Sequence, residues 1–273
     1  MTVRIDKLGV VIAVLLAYGA FLAPFANFRA NRIVPGEARS ILDALPFGLG
    51  MALLAFIAVS IVLIVLKTPT MLRLLLGLAA LSALAVLIGL SAGHLTPPEN
   101  TYARVSPASG FWLASFAFAL LTADALARLK PPPLVRVALL AAVAAAAALL
   151  LLSGAWDGLS ILKEYGSRAE TFWLEAGRHV VLALGSLAAA TLVGLPLGIL
   201  CHRVERVRAG VLNVLNIIQT IPSIALFGLL IAPLGWIALH VPGAAAIGIR
   251  GIGAAPAFVA LFLYSLLPVV ANT

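Results

Sequence analysis

Eight runs of about 20 apolar residues, separated by short charged loops, decide the fold class of this chain. They lie at roughly 8–26, 47–66, 74–93, 109–127, 134–152, 179–200, 211–235 and 255–272. In hydrocarbon every backbone donor and acceptor must be satisfied within the protein, so runs of this length span as helices. The expectation is an all-α polytopic membrane protein with about eight transmembrane helices. A hydrophobic content of 63%, a charged content of 10% and a mean hydropathy of +1.15 exclude a soluble domain of this length. Arg4 and Lys7 precede the first run as they would a signal peptide. The run is longer than a signal core and no A-x-A site follows, so it reads as an uncleaved helix.

Loop charges orient the spans. With the N-terminus in the cytoplasm, Arg4, Lys7, Lys67, Arg73, Arg128, Lys130, Arg136, Arg203, Arg206 and Arg208 fall inside. Arg29, Arg32, Arg39, Arg104, Lys163, Arg168, Arg178 and Arg250 fall outside. Ten against eight is a narrow margin, and the tight Arg203–Arg208 cluster favours the same orientation. The net charge of +8 is dispersed in these loops without a basic stripe of interleaved aromatics, so nucleic acid is not an expected partner. The lipid bilayer is. A lone cysteine, Cys201, and four scattered histidines supply neither a disulfide nor a metal site.

The seventh run carries an unusual amount of polarity. Asn213, Asn216, Gln219, Thr220 and Ser223 interrupt it, and Pro222 removes a backbone donor, so the helix should bend or open there. At roughly 100° per residue, Asn213, Asn216, Thr220 and Ser223 occupy an arc of about 80°, with Gln219 about 40° beyond it. Such a face either lines a wet pathway or hydrogen-bonds neighbouring helices, and both uses need one polar side. In the sixth run Gly194 and Gly198 flank Pro196, a pattern of small residues for close helix packing with a proline kink. Asp124, near the inner end of the fourth run, reads as a snorkelling or capped surface acid, because no second intramembrane acid is evident to pair with it.

Three regions follow: an N-terminal membrane extension of about five helices over 1–155, an interfacial segment over 156–178, and a membrane domain over 179–273. The stretch WDGLSILKEYGSRAETFWLEAGRH (156–179) mixes charges with aromatic and aliphatic residues, as an amphipathic helix or helix pair at the outer interface would. GIRGIG (248–253) lacks the GK[ST] ending of a phosphate loop and reads as a connector.

The order GLPLGIL, a basic turn CHRVERVRAG, NIIQTIPSIALFG, then ALFLYSLLPVVANT resembles the permease subunits of bacterial ABC importers, in the branch that takes up glycine betaine, choline and related osmoprotectants. NRIVPGEAR (31–39) and SGFWLASFAFALLTADAL (109–126) resemble the Yeh-type members, which carry extra N-terminal helices. The resemblance implies that 179–273 forms the first three helices of the MetI-like five-helix core. It also implies cytoplasmic ATPase subunits, a periplasmic substrate-binding protein and a second permease subunit, identical or paralogous, in a bacterial inner membrane. The superfamily's E-A-A-type coupling loop belongs shortly after ANT (271–273), so the resemblance leads to the expectation of a fragment of a longer permease.

An ion-coupled secondary transporter of small polar solutes is the alternative. Such proteins show buried ionisable groups or broken helices in two matched halves, and this sequence offers one broken polar helix. No Ser–Lys, paired-Asp or His-metal constellation falls at membrane depth, so no catalytic residue, cofactor or metal is expected.

Overall fold

The computed structural model describes residues 6–97 and 99–273. Arg4, counted among the inner charges, lies outside the described residues. The chain divides after Ser167 into two compact units.

The first unit opens with α1 (Lys7–Phe21), started by Asp6, whose carboxylate accepts the amide N–H groups of Leu8 and Gly9 at 3.1 and 3.4 Å. This is a correction to the expected first span: the helix has 15 residues, about 22 Å, short of the ~30 Å hydrocarbon core. Pro24 biases Ala23 away from helical geometry, and the chain then enters a strand instead of extending to residue 26. Strand β1 (Ala26–Arg29) pairs antiparallel with β2 (Glu37–Arg39) and with β3 (Arg104–Pro107), giving the order β2-β1-β3. The NRIVPGEAR motif is therefore the connection into β2 and β2 itself.

A short helix α2 (Ile41–Ala44), opened by a Ser40–Asp43 capping box, leads to α3 (Phe47–Val65) and α4 (Thr70–Leu95). After β3 come α5 (Ser109–Leu129) and α6 (Pro133–Leu152). Buried residues in α4 recur every three or four positions through Arg73, Gly77, Ala80, Leu84, Ile88 and Ser91, which sets one face against α5. Helix α1 packs between α3 and α5. Phe25, Phe118, Ile12, Leu16, Ile57 and Leu121 fill the core. Hydroxyls buried among these helices donate to carbonyls of their own preceding turns, Ser60 to Phe56 and Thr122 to Phe118, and so carry no unmet polarity. The alanine-rich α6 contributes no buried residue.

The second unit contains the greater part of α7 (Ser160–Arg203), then α8 (Glu205–Thr220), α9 (Ser223–His240) and α10 (Ala254–Asn272). Helix α7 leaves helical geometry at Arg168 (φ −138°, ψ 20°) and keeps it through Pro196. The amphipathic stretch after residue 160 is thus two helical pieces meeting in a kink at Arg168, the second of which continues into the sixth span. Helices α8 and α9 pack against α10, where Cys201, Leu215, Leu266 and Val270 form a small core.

The second correction concerns the seventh span. Residues 211–235 do not run as one span: of the bend or opening expected at Pro222 the chain takes the opening, with Ile221 and Pro222 both extended (ψ 124° and 141°), and separates into amphipathic α8 and apolar α9. Helix α8 begins with the charges of ERVRAG, and α9 is the one of the two that is long and apolar enough to cross a membrane. Among the described residues seven helices are long and apolar enough to cross a membrane, with α1 as a shorter apolar helix, against an expected count of about eight. The protein is an all-α polytopic membrane protein with one small sheet.

Candidate functional site

The proline break organises the polar residues of the second unit. Asn213, Asn216, Gln219 and Thr220 lie on α8, whereas Ser223 is the first residue of α9, so the five do not share one helical face. On α8 the buried Leu215 faces the α10 core, and Asn213, Asn216 and Thr220 point roughly 100–160° away from it around the helix. All five polar residues are exposed. Gln219 lies angularly between the two faces and donates from Nε2 to the Tyr264 carbonyl at 2.9 Å. The Tyr264 hydroxyl returns a bond to the Ile221 carbonyl, one of the groups freed by the break. Ile218, whose carbonyl Pro222 leaves without its usual partner, accepts the Ile221 N–H at 3.2 Å. Thr220 donates back to Ile217 at 2.7 Å. The break is therefore a latched elbow on α10, in which the Ile217, Ile218 and Ile221 carbonyls each accept a hydrogen bond.

Gly194 and Gly198 hold α7 against α10. A Cβ at Gly194 would meet Val269 and Leu266, and one at Gly198 would meet Thr273 and the Val270 carbonyl. The small residues leave room for the close approach of α10.

The first unit holds a cluster that the sequence reading missed. Arg73 is almost wholly buried, with its side chain 3% exposed. Its Nη1 donates to Asp6 at 2.6 Å, and Asp124 lies 3.7 Å away. Nη2 donates to the carbonyls of Ile64 and Leu66. Arg128 pairs with Asp124 at 2.8 Å, one helical turn on. The group ties α1, α4 and α5 together at one end. Asp124, read from the sequence as a snorkelling or capped surface acid, is thus a member of an ion cluster at the helix ends, and Arg73 is more than a loop charge. The i, i+4 spacing of Asp124 and Arg128 was the signal available in sequence; Asp6 and Arg73 are brought to it only by packing.

A second ion cluster lies beside the sheet. Arg32 grips Glu164 with two bonds of 2.8 and 2.7 Å, and Arg104 adds a third at 3.1 Å. The Arg104 hydrogen bond, aided by Arg32 and opposed by desolvation, holds the Glu164 carboxyl below its usual range. Burial, with the neighbouring Arg104 charge, lowers the Lys163 ammonium, which donates to the Ala103 carbonyl at 3.1 Å. These contacts brace Ser160–Ser167 on the first unit. Among the described residues no group of His, Cys, Asp or Glu has metal-site geometry.

Residues 6–162, more than half of the chain, match the family described as ABC transporter permease YehY, N-terminal domain. The chain is 43% identical over 96 residues to the osmoprotectant import permease protein OsmW of Salmonella typhimurium (strain LT2), covering 35% of this chain and 40% of that relative. It is 36% identical over 96 residues to the glycine betaine/carnitine/choline transport system permease protein OpuCD of Bacillus subtilis (strain 168), covering 35% of each. The choline transport system permease protein OpuBD of the same organism is 36% identical over 99 residues, covering 36% of this chain and 37% of that one. The matches thus span about two fifths or less of the length of these curated relatives. No solved structure matches the chain.

Proposed function

The chain belongs to the family of the ABC transporter permease YehY N-terminal domain, and from that premise we propose that it serves as a membrane-spanning permease part of an ATP-driven importer of osmoprotectants such as glycine betaine or choline. The observation that carries the reading is the family match over 6–162 in the same chain that is similar to osmoprotectant permeases. The seven long apolar helices are in keeping with a pathway through a bilayer. On this reading cytoplasmic ATPase subunits drive transport, a periplasmic binding protein delivers the solute, and a second permease subunit completes the pathway in a bacterial inner membrane. With α1 counted as a short crossing helix, a cytoplasmic N-terminus also puts the Arg203–Arg208 turn on the cytoplasmic side.

The exposed face of α8 narrows the pathway assignment. Gln219 is engaged with α10 and Thr220 with its own helix. Asn213 and Asn216 present amides away from the α10 core, in a position to replace water around a passing polar solute. Selection of a quaternary ammonium group needs an aromatic cage. Tyr264 is committed to the elbow, so selection belongs to the binding protein.

The test is uptake of labelled glycine betaine in a host lacking its own osmoprotectant uptake, with the transporter's partner subunits supplied. Replacing Asn213 and Asn216 together by leucine should lower uptake at least roughly tenfold, about 1.4 kcal/mol in the barrier, while membrane levels of the protein stay constant. Tyr264→Phe should instead lower thermal stability by about 1 kcal/mol, the worth of one hydrogen bond, and change uptake less. Undiminished uptake in the leucine variant would remove the pathway role from α8.

A further inference from the structure

The first unit leaves open an apolar cleft between α4, α5 and α6 of about 510 Å³, within the ~300–1,000 Å³ range of small-ligand sites. Leu74, Leu78, Leu126, Leu139 and Leu140 line it, and Arg136 is its one charged lining residue. The opening exists because α6 is held off: no residue of α6 is buried, and the stiff Pro131–Pro133 connector sets its start.

At the mouth the charge is uncompensated. Arg136 donates from Nε to the Pro131 carbonyl at 2.9 Å. That bond fixes the guanidinium while its terminal nitrogens make no hydrogen bond or ion pair among the described residues. Lys130, next to the lining residue Pro131, is exposed and likewise lacks an ion pair among the described residues. The one acid on α4, α5 and α6, Asp124, is already taken by Arg128 and Arg73. No carboxylate lines the cleft.

We propose that this cleft binds an anionic phospholipid, with an acyl chain against the leucines and the phosphate held by Arg136 and Lys130. Charge complementarity selects this occupant. An apolar helix would fill the leucine wall but leave two cations unmet, whereas an anionic headgroup satisfies both, as in basic pockets between transmembrane helices. The site lies wholly within the first unit and does not depend on the transport reading.

The experiment is native mass spectrometry of the whole chain in mild detergent, with dioleoyl-phosphatidylglycerol and dioleoyl-phosphatidylcholine supplied separately. Phosphatidylglycerol should be retained in preference to phosphatidylcholine. Arg136→Gln should weaken its retention about fivefold, and Arg136→Gln with Lys130→Gln about thirtyfold, at roughly 1 kcal/mol per basic residue. Leu140→Trp, which fills the cleft and keeps both charges, should also displace the lipid. Both basic residues are exposed, so thermal unfolding of the charge variants should match that of the parent. Equal retention of the two lipids, charge variants that hold phosphatidylglycerol as well as the parent, or a second copy of the chain bound in place of lipid would each overturn the proposal.

Discussion

Replacing Arg73 by methionine will destabilise the first unit more than any other single side-chain truncation at its helix ends. Arg73 satisfies the Asp6 carboxylate, stands beside Asp124, and donates to the Ile64 and Leu66 carbonyls. The two carboxylates are only 11% and 16% exposed. Removing one partner of a buried ion cluster costs about 3–5 kcal/mol, because the remaining charges lose their compensation. For a chain of this size that corresponds to a fall in Tm of roughly 10 °C, measurable by thermal unfolding in detergent. Arg73→Met combined with Asp6→Leu and Asp124→Leu should recover much of the loss, since no buried carboxylate is then left alone. A single variant as stable as the parent would contradict the cluster's role.

The same cluster sets a dependence on pH. Burial disfavours the ionised Asp6. The Gly9 amide, the Arg73 hydrogen bond and the Arg73 and Arg128 charges outweigh it and lower the carboxyl below its usual 3.8. A depressed folded value means that the stabilisation is complete above about 3.8 and disappears as pH falls through the lower folded value. Stability should therefore be flat with respect to Asp6 near neutrality and decline in strong acid. In Asp6→Asn that part of the acid decline should be absent.

The second large effect comes from a methyl group. A Cβ at Gly110, in the first turn of α5, would run into the carbonyls of Gly19, Ala23 and Pro24, where α1 ends. These are backbone atoms with no rotamer to give, so Gly110→Ala should cost about 3 kcal/mol, the upper part of the overpacking range. Gly93, in α4, has nothing within 4 Å of its would-be Cβ. Gly93→Ala should be neutral or stabilise by up to ~1 kcal/mol through helix propensity. Thermal unfolding of the two variants side by side checks the packing directly: the same substitution should move Tm in opposite directions or leave Gly93→Ala unchanged. A tolerated Gly110→Ala would mean that α1 and α5 are not in backbone contact.

Much of this architecture was legible from apolar run length, because hydrocarbon thickness imposes a length on any spanning helix. The spans at α3, α4, α5, α6 and α10 fall close to their expected ranges for that reason. The strands were not legible. Ala26–Arg29 and Arg104–Pro107 are four residues each and lie far apart in sequence, so neither carries a periodic signal of its own. Apolar run length also overrode local chemistry twice. It carried the first span past Pro24, and it joined α8 to α9 across Pro222, where two extended residues end the helix. The close approach of α10 to Gly194 and Gly198 was written in residue size. The Asp6–Arg73–Asp124–Arg128 cluster was not, beyond the i, i+4 pair of Asp124 and Arg128, because its members are separated by up to 122 positions (128 − 6) and Asp6 and Arg73 each look like charges outside the spans.

The most direct measurement of the central claim is the energy source for uptake. The protein is reconstituted with its partner subunits and binding protein in proteoliposomes, and labelled glycine betaine entry is followed with ATP, without ATP, and with an imposed ion gradient. The account predicts entry that requires ATP and is indifferent to an uncoupler. Entry without ATP that follows the gradient and collapses with the uncoupler would contradict it and establish an ion-coupled transporter instead.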